Sequence, residues 1–375
     1  MKQVNWIGPL AVVAAAALIG ISGCGKAAGA GKPDVRLEAK LPASFAQVSN
    51  VVELGDGRIA FTDTHDRLFF NADFKSGALD TVGTRVDSLP QGAPDSVYKF
   101  PGWVAHLAGD TVALVDYAAI RTTLWDEHAQ PLAVLAIPPV GGPTPVLIYD
   151  HQGFGYKTDF TPILGGPDAG HSVLTDSVPV VRIQFASGRV DTVAQLSAPE
   201  KGDAVFGTQV QQVPKIFSPN DIFGVLPDGR VWVARGRENR IDWRGPGGVW
   251  IHGESRPYTK LPVTEADKAR VIARVREQGR GHGLPDTLRL VWPFAEYKPP
   301  FVSGMATPEG DVWLQRSRAS DNDPMVYDVY GPDAKWKHAM TLPDGVSLAG
   351  FGKGGAIYGI IKDGERRTVG RFTAG

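Results

Sequence analysis

A short motif that recurs along the chain constrains its fold more than any other feature. Each copy is a tight turn rich in Gly and Asp, followed at once by a strand of mostly apolar residues. Clear copies occupy residues 55–61, 109–114, 227–233 and 308–314, and weaker copies occupy residues 152–156 and 354–358. Asp-Gly and Glu-Gly pairs supply the positive φ that tight hairpin turns require, so the motif predicts repeated β-hairpins.

The spacing of the copies indicates how the strands are grouped. One anchor residue per copy lies at positions 59, 112, 154, 231, 312 and 357. Three of the intervals are close to the ~40–50 residues of a four-stranded propeller blade, and the two long intervals contain insertions. Six copies therefore predict an all-β fold, a six-bladed β-propeller of four-stranded antiparallel blades. The irregular spacing leaves a β-sandwich, or two small β domains, as the alternative.

The two ends of the predicted propeller are expected to pair. The last copy has room for three strands only, over residues 347–351, 356–361 and 367–372. Residues 35–41 alternate apolar and polar side chains, as a half-buried strand does. We therefore expect this N-terminal strand to complete the sixth blade and remove an exposed sheet edge. Residues 34–375 would then form one propeller domain.

An insertion over residues 254–300, between blades four and five, contains the one helix that the sequence clearly predicts. Residues 264–267 resemble a capping box, and Val271, Ile272 and Val275 form one apolar stripe that we expect to pack on the propeller. Connections between blades emerge on the same face as the loops between second and third strands. This insertion and a second one over residues 158–177 should therefore rise from one face, which is the candidate recognition surface.

The repeats resemble those of six-bladed propeller proteins of the NHL and TolB-like groups, and of bacterial propeller lipoproteins. The resemblance covers roughly residues 35–372 and is best over residues 227–235, 239–243, 257–258 and 262–268. It implies the fold and leaves the function open, because no activity is securely attached to that family.

The first 24 residues have the pattern of a targeting signal. Met1-Lys2 is a short positive start, residues 7–21 are an apolar run, and small residues lead to Cys24, the only cysteine. A run interrupted by Pro9 is shorter than the ~20 apolar residues that a membrane-spanning helix needs. An ordinary secretory signal would place the single cysteine here only by chance.

Residues 21–24 resemble the lipobox of bacterial lipoproteins. The resemblance implies that residues 1–23 are a signal peptide and that Cys24 carries a diacylglyceryl thioether and an acylated amino group. Two or three acyl chains attach a protein stably to the bilayer. Residues 24–33 would form a flexible tether. Gly25, in place of Asp, favours the outer membrane, with the domain facing the periplasm or the cell surface.

Composition and motifs argue against several function classes. The formal net charge is −1, so no strongly basic surface for nucleic acid is expected. With Cys24 acylated, no thiol remains for a disulfide, a zinc site or a nucleophile. The glycines at 350, 352 and 355 precede a strand, which indicates a hairpin and not a dinucleotide site. The sequence has no GxSxG motif, and its eight histidines show no local pair at ligand spacing.

Two loops carry the candidate ligand-binding residues. These residues are Arg235, Arg237, Arg240 and Trp232 of blade four, and Arg316, Arg318 and Trp313 of blade five. Guanidinium groups beside aromatic rings suit carboxylates, phosphates or acidic sugars. The alternative is that the arginines pair with acids of the same loops, which are Glu238, Asp242, Asp321 and Asp323. No cofactor is expected, although residues 321–323 offer oxygen atoms that calcium could use.

The sequence therefore predicts a membrane-anchored, monomeric, non-catalytic propeller that binds a partner protein, a glycan or a small anionic ligand. The alternative is a metal-dependent hydrolase or lyase, because six-bladed propellers include lactonase-like enzymes with a divalent metal in the central channel. Its candidate ligands, near the ends of inner strands, are Glu53, Asp150 and Asp221, with Asn50 and Asn220 adjacent. These side chains could equally cap turns.

We expect Cys24→Ser to abolish lipid attachment, because no other thiol can accept the diacylglyceryl group. Metabolic labelling with radioactive palmitate and fractionation of the cell envelope measure this. Ser22→Ala, which keeps a small residue two positions before the cysteine, should remain labelled and membrane-bound. Equal labelling of the Cys24→Ser chain would contradict the lipoprotein prediction.

Overall fold

The structure is a computed structural model that describes residues 34–137, 145–159, 176–281 and 290–375. Within these ranges the chain forms six four-stranded antiparallel sheets, one three-stranded sheet and one two-stranded sheet. The predicted signal peptide, Cys24 and the tether lie outside the described residues. Most of the insertion predicted over residues 158–177 does so as well.

Six four-stranded sheets follow one another along the chain, each a simple meander. The first contains β2 (Val48–Glu53), β3 (Ile59–Asp63), β4 (Leu68–Ala72) and β5 (Leu79–Thr81). The second contains β8 (Pro101–His106), β9 (Val112–Asp116), β10 (Arg121–Trp125) and β11 (Pro131–Leu135). The third contains β12 (Ile148–Tyr149), β13 (Phe154–Thr158), β14 (Ser177–Gln184) and β15 (Arg189–Ser197).

The remaining three sheets repeat the same order, and the sixth takes one strand from the start of the chain. The fourth contains β18 (Ile222–Val225), β19 (Val231–Arg235), β20 (Arg240–Arg244) and β21 (Trp250–His252). The fifth contains β23 (Phe301–Ala306), β24 (Val312–Arg316), β25 (Val326–Tyr330) and β26 (Trp336–Thr341). The sixth contains β27 (Val346–Phe351), β28 (Ile357–Asp363), β29 (Arg366–Ala374) and β1 (Val35–Lys40). A short 3-10 helix, Lys353–Gly355, separates β27 from β28.

Strand β1 completes the sixth sheet by antiparallel pairing with β29, and Leu37 lies opposite Phe372. The backbone N–H of Gly375 extends the pairing by donating to the carbonyl of Asp34 at 2.7 Å. The predicted closure by an N-terminal strand is confirmed.

The first strands of the sheets pack side by side in chain order. Strand β2 contacts β8 and β27, β8 contacts β12, β12 contacts β18, and β18 contacts β23. Trp313 of the fifth sheet and Phe372 of the sixth belong to one core cluster, which joins these two sheets. The sheets therefore form a ring whose apolar core lies between neighbouring sheets, and the all-β propeller prediction is confirmed. The described residues contain six four-stranded sheets, and the sequence contains six copies of the repeated motif.

Buried carboxylates tie two sets of loops together on one face. Asp116, the last residue of β9, accepts hydrogen bonds from the backbone N–H groups of Lys99, Phe100, Ala118 and Ala119. Asp63, at the same position of β3, accepts from the backbone N–H groups of Ala46, Gln47, His65 and Asp66. Each carboxylate joins the loop after a second strand to the connection that enters the same sheet. The two kinds of loop therefore share a face, as expected.

This face also carries three smaller elements. Helix α1 (Glu265–Gly281) and strand β22 (Leu290–Val291) come from the insertion between the fourth and fifth sheets. Strands β16 (Lys201–Phe206) and β17 (Gln209–Pro214) come from the connection between the third and fourth sheets, and pair with β22 in the order β17-β16-β22. We call this three-stranded unit the accessory sheet. Strands β6 (Thr84–Arg85) and β7 (Val97–Tyr98) form the two-stranded sheet.

Helix α1 begins at the predicted position, and a buried ion pair helps to hold it. Thr264 caps it, because the Thr264 hydroxyl accepts from the Asp267 N–H at 3.2 Å and the Asp267 carboxylate accepts from the Thr264 N–H at 3.0 Å. The predicted apolar stripe is only half-buried. The Asp267 side chain is buried instead and pairs with Lys298 at 2.9 Å and Arg270 at 2.6 Å. Charged groups therefore contribute to holding the helix, and packing of the stripe on the propeller stays a prediction. Within the described ranges no helix has the length and apolar character needed to cross a bilayer.

Candidate functional site

The predicted arginines of the fourth sheet are engaged within the protein. Arg235 donates from Nε to Asp242 at 2.9 Å and from Nη1 to Asp221 at 2.8 Å, and both carboxylates are 1 % exposed. Burial by itself lowers the pKa of Arg235, but the hydrogen bonds that it donates to the two carboxylates outweigh this effect and raise that pKa. Arg240 also reaches Asp242, at 3.1 Å, and Arg237 donates to the carbonyl of Ala198 at 3.1 Å.

The fifth sheet repeats this arrangement around a second buried acid, Asp328. Arg316 donates to both oxygens of Asp328 at 2.8 and 2.7 Å, and the Trp336 indole N–H donates at 2.6 Å. Arg256 lies over the Trp336 ring, 4.2 Å from its centroid, and reaches Asp328 at 3.4 Å. Arg256 also exchanges backbone and side-chain hydrogen bonds with Asn239 of the fourth sheet. The two arginine clusters are therefore neighbours, as the sequence predicted.

Arg318, Trp232 and Trp313 are also engaged within the protein. Arg318 donates to the backbone carbonyls of Asp321 and Asp323 at 2.8 and 3.0 Å. Trp232 and Trp313 are buried between sheets, in contrast to the expectation of aromatic rings beside the arginines at the rim. This inward orientation follows from the alternation of side chains along a strand. A ligand-binding role of these seven residues stays a prediction.

The carboxylates proposed for metal chemistry do not converge. Glu53 and Asp150 lie where first strands end, whereas Asp221 precedes β18 and lies at the opposite face. Glu53 accepts from the Tyr358 hydroxyl, and Asp150 accepts from the Tyr156 hydroxyl at 2.7 Å. Asn50 clamps the backbone of Val104, with hydrogen bonds of 2.7 and 3.2 Å, and Asn220 is exposed. The residues present therefore do not fit a central divalent cation.

The acidic loop considered for calcium is also occupied by protein groups. The Asp321 carboxylate pairs with Arg270 of helix α1, and the Asp323 carboxylate accepts from the Ser320 N–H at 2.9 Å. Calcium binding there would have to displace the Arg270 ion pair. Across the described ranges, no group of three or more His, Cys, Asp or Glu side chains is placed to hold a metal ion.

One pair of candidate functional side chains was missed by the sequence analysis. His106 and His151 meet with Nδ1 of the first 2.9 Å from Nε2 of the second. They lie on neighbouring sheets and far apart in the chain, so local spacing gave no signal. The one available clue was that both histidines occupy similar positions in their repeats, at or just after the end of a first strand.

Comparison with solved structures agrees with the fold. A member of the DUF4221 family from Bacteroides vulgatus shares 8 % identity at a TM-score of 0.50, covering 91 % of this chain and 99 % of that one. A gluconolactonase from Xanthomonas campestris shares 12 % identity at a TM-score of 0.42, over 94 % and 99 % of the two chains. The calcium-binding protein regucalcin from Agrobacterium tumefaciens shares 10 % identity at a TM-score of 0.41, over 89 % and 93 %.

These neighbours are β-propellers, and the chain is a β-propeller protein. At such low identities the likeness concerns the fold alone. No protein-family model matches the chain, and no curated protein matches it.

We expect Arg316→Gln to destabilise the protein near neutral pH by ~1–2 kcal/mol, since Arg316 is 43 % exposed and solvent screens the pair. Burial alone would raise the pKa of Asp328, but hydrogen bonds from Arg316 and Trp336 lower it below its usual value. A carboxyl with a lowered pKa stabilises the fold above about pH 4 and loses that contribution as the pH falls through its folded-state pKa.

Urea unfolding between pH 2 and pH 7 measures this effect. The Arg316→Gln variant should lose less stability on acidification than the wild type, because less of the pKa shift remains. Lys335→Gln, which removes an exposed pair with Asp333 at 3.9 Å, is the matched control and should behave as wild type. Parallel pH profiles of wild type and Arg316→Gln would contradict the role of this pair.

Proposed function

We propose that the chain is a lipid-anchored, extracytoplasmic and monomeric β-propeller that binds a protein partner through its accessory sheet, without catalysis. The observation that carries the proposal is a row of three valines across that sheet. Val205 of the central strand lies directly opposite Val210 of β17 on one side and Val291 of β22 on the other. Directly opposed residues point to the same face of a sheet, so the three side chains form one continuous row.

The valine row faces solvent at both ends. Val210 is 65 % exposed and Val291 is 44 % exposed. Contiguous exposed apolar side chains within a polar surrounding are typical of protein interaction surfaces. The next cross-strand pair on the same face, Asp203 and Gln212, is exposed and polar. The row therefore has an apolar centre and a polar margin, as protein interfaces do.

The opposite face of the accessory sheet is fixed to the rest of the protein. Ala204 is fully buried, and a Cβ added to Gly202 would lie 2.6 Å from Cβ of Pro293. Ile216 bridges to Phe294 just beyond the sheet. The valine row is thus presented by a rigid support, which reduces the ordering cost of binding.

The accessory sheet is not required to connect neighbouring sheets of the propeller. The fifth and sixth sheets are joined by residues 342–345 alone, so a short loop is sufficient to cross between neighbouring sheets. Residues 198–221 and 253–300 make the corresponding crossings on the accessory side. Long ordered connections on one face of a rigid scaffold are where binding residues concentrate.

A protein partner is favoured over a small anion because the nearby guanidinium groups already have partners. Arg235, Arg240 and Arg316 each pair with a buried or mostly buried carboxylate. An anion would compete with these internal carboxylates. The valine row offers apolar side chains without such competition.

The lipid anchor is proposed from the sequence of residues 21–24 and accords with the position of β1. Strand β1 is the outermost strand of the sixth sheet, so the chain enters the fold at the outer edge of the ring. A tether ending at Asp34 would hold the propeller by its side and leave the accessory sheet free.

The test is capture of envelope proteins by the purified chain and by the variant Val210→Lys/Val291→Lys. We expect the variant to capture at least tenfold less partner than the wild type, because two charges would have to be buried at the interface. Quantitative mass spectrometry of cross-linked eluates measures the loss.

The matched control is Val249→Lys/Leu132→Lys, which changes two exposed apolar residues outside the accessory sheet. Val249 is 73 % exposed and Leu132 is 53 % exposed. It should capture the partner as the wild type does. Equal capture by all three proteins would remove the accessory sheet as the binding surface. Concentration-dependent dimers that only the Val210→Lys/Val291→Lys variant abolishes would instead identify a second copy of the chain as the partner.

A further inference from the structure

His106 and His151 form a pair of imidazoles on the face opposite the accessory sheet. His106 is the last residue of β8, and His151 follows β12 by two residues. Both strands are the first strands of their sheets, which pack against each other. The pair therefore joins the second and third sheets where their first strands end.

The two rings are hydrogen-bonded to each other through one nitrogen of each ring. Nδ1 of His106 and Nε2 of His151 are 2.9 Å apart, and the ring planes are inclined by 61°. Two metal–nitrogen bonds of ~2.0 Å that meet at about 90° place their nitrogens ~2.8–2.9 Å apart. A tetrahedral angle would require a separation of ~3.3 Å. The observed 2.9 Å is the length of the hydrogen bond between the two rings, and it is also compatible with two adjacent positions of a square-planar or tetragonal ion.

Burial and nearby charged groups act on the two rings in opposing directions. Burial lowers the pKa of His106 and so does His151, while Asp110 and the Gly109 backbone oppose this and Lys353 lowers it further. Burial also lowers the pKa of His151, against the opposing effect of Asp150.

Two acids, Asp110 and Asp150, act on the rings electrostatically, but neither completes a ligand set. The carboxylate of Asp110 acts on His106 electrostatically. The Asp150 carboxylate already accepts hydrogen bonds from the Tyr156 hydroxyl and from the backbone N–H groups of Gln152 and Phe154. No third His, Cys, Asp or Glu ligand is in place among the described residues, so the remaining positions would be open to water.

We propose that His106 and His151 bind one Cu²⁺ or Ni²⁺ ion through Nδ1 and Nε2 respectively, with water in the other coordination positions. The ion replaces the proton that the two nitrogens share, and that proton moves to the ring nitrogen facing away from the pair. Binding links the second and third sheets. Imidazole is a preferred ligand of both metals, and Cu²⁺ binds more tightly than Ni²⁺ at a given site.

The experiment is titration of the purified, untagged chain with Ni²⁺ by calorimetry at pH 7.5, and with Cu²⁺ by electron paramagnetic resonance. We expect one equivalent of Ni²⁺ bound at micromolar concentrations, and a Cu²⁺ spectrum with hyperfine coupling to two imidazole nitrogens. Lowering the pH to 5 should weaken binding at least tenfold, because protons then compete for both rings.

Two variants and one control decide the assignment. His151→Ala changes an exposed side chain and should fold as the wild type, yet lose Ni²⁺ binding at least tenfold and retain coupling to one nitrogen. His106→Ala should have the same effect. His128→Ala, which removes an exposed histidine of the second sheet, should bind as the wild type does. Absence of binding by the wild type below 100 µM (~50 times the expected Kd), or undiminished binding by folded His151→Ala, would overturn the proposal.

Discussion

The pairing of β1 with β29 is the interaction on which the rest of the structure depends. The first and sixth sheets also contact each other through β2 and β27, but the antiparallel pair of β1 and β29 is the one place within the described ranges where the first strand of the chain hydrogen-bonds to the last. Leu37 lies opposite Phe372, and Val35 and Phe372 belong to the core cluster that also contains Trp313. Hydrogen bonds and apolar burial are thus coupled at the closure, and opening the pair would expose both.

The closed ring gives the face with the accessory sheet its rigid base. Asp63 and Asp116 each accept four backbone N–H groups from two loops, and Asp221 joins Arg235 to the backbone of Gly236 and Ser197. A buried carboxylate without such partners would be strongly destabilising. These three carboxylates therefore hold loops together, and recognition of a partner by the exposed valine row is our proposal.

Much of the fold could be predicted from the sequence because local turn chemistry repeats. Asp-Gly turns located the hairpins between first and second strands, and the alternation of residues 35–41 located the closing strand. The accessory sheet could not be found in this way, since β22 is two residues long and no recurrent turn marks β16 or β17. Its strands are identified only by pairing between two distant insertions.

The candidate site was less predictable, for a related reason. The pairing of Arg235 with Asp242 was the alternative that the sequence offered, because the two residues lie close together in the chain and belong to adjacent strands. The pairing of Arg316 with Asp328 was missed because Asp328 lies inside a strand and not in the loop. His106 and His151 meet only because two sheets pack together, and no local pattern encodes that contact. Sequence periodicity describes one sheet at a time, whereas sites between sheets depend on their packing.

The most direct test of the closure is a disulfide between β1 and β29. Arg36 and Thr373 are directly opposed, and the ~4.5–5.5 Å between such Cα atoms is compatible with a disulfide. In a Cys24→Ser background, Arg36→Cys/Thr373→Cys should oxidise spontaneously and raise the free energy of unfolding by ~2–4 kcal/mol. Arg36→Cys/Arg366→Cys, with the second cysteine about 24 Å further along β29, should keep both thiols free. Free thiols in the first variant, or equal oxidation of both variants, would contradict a ring closed by its two ends.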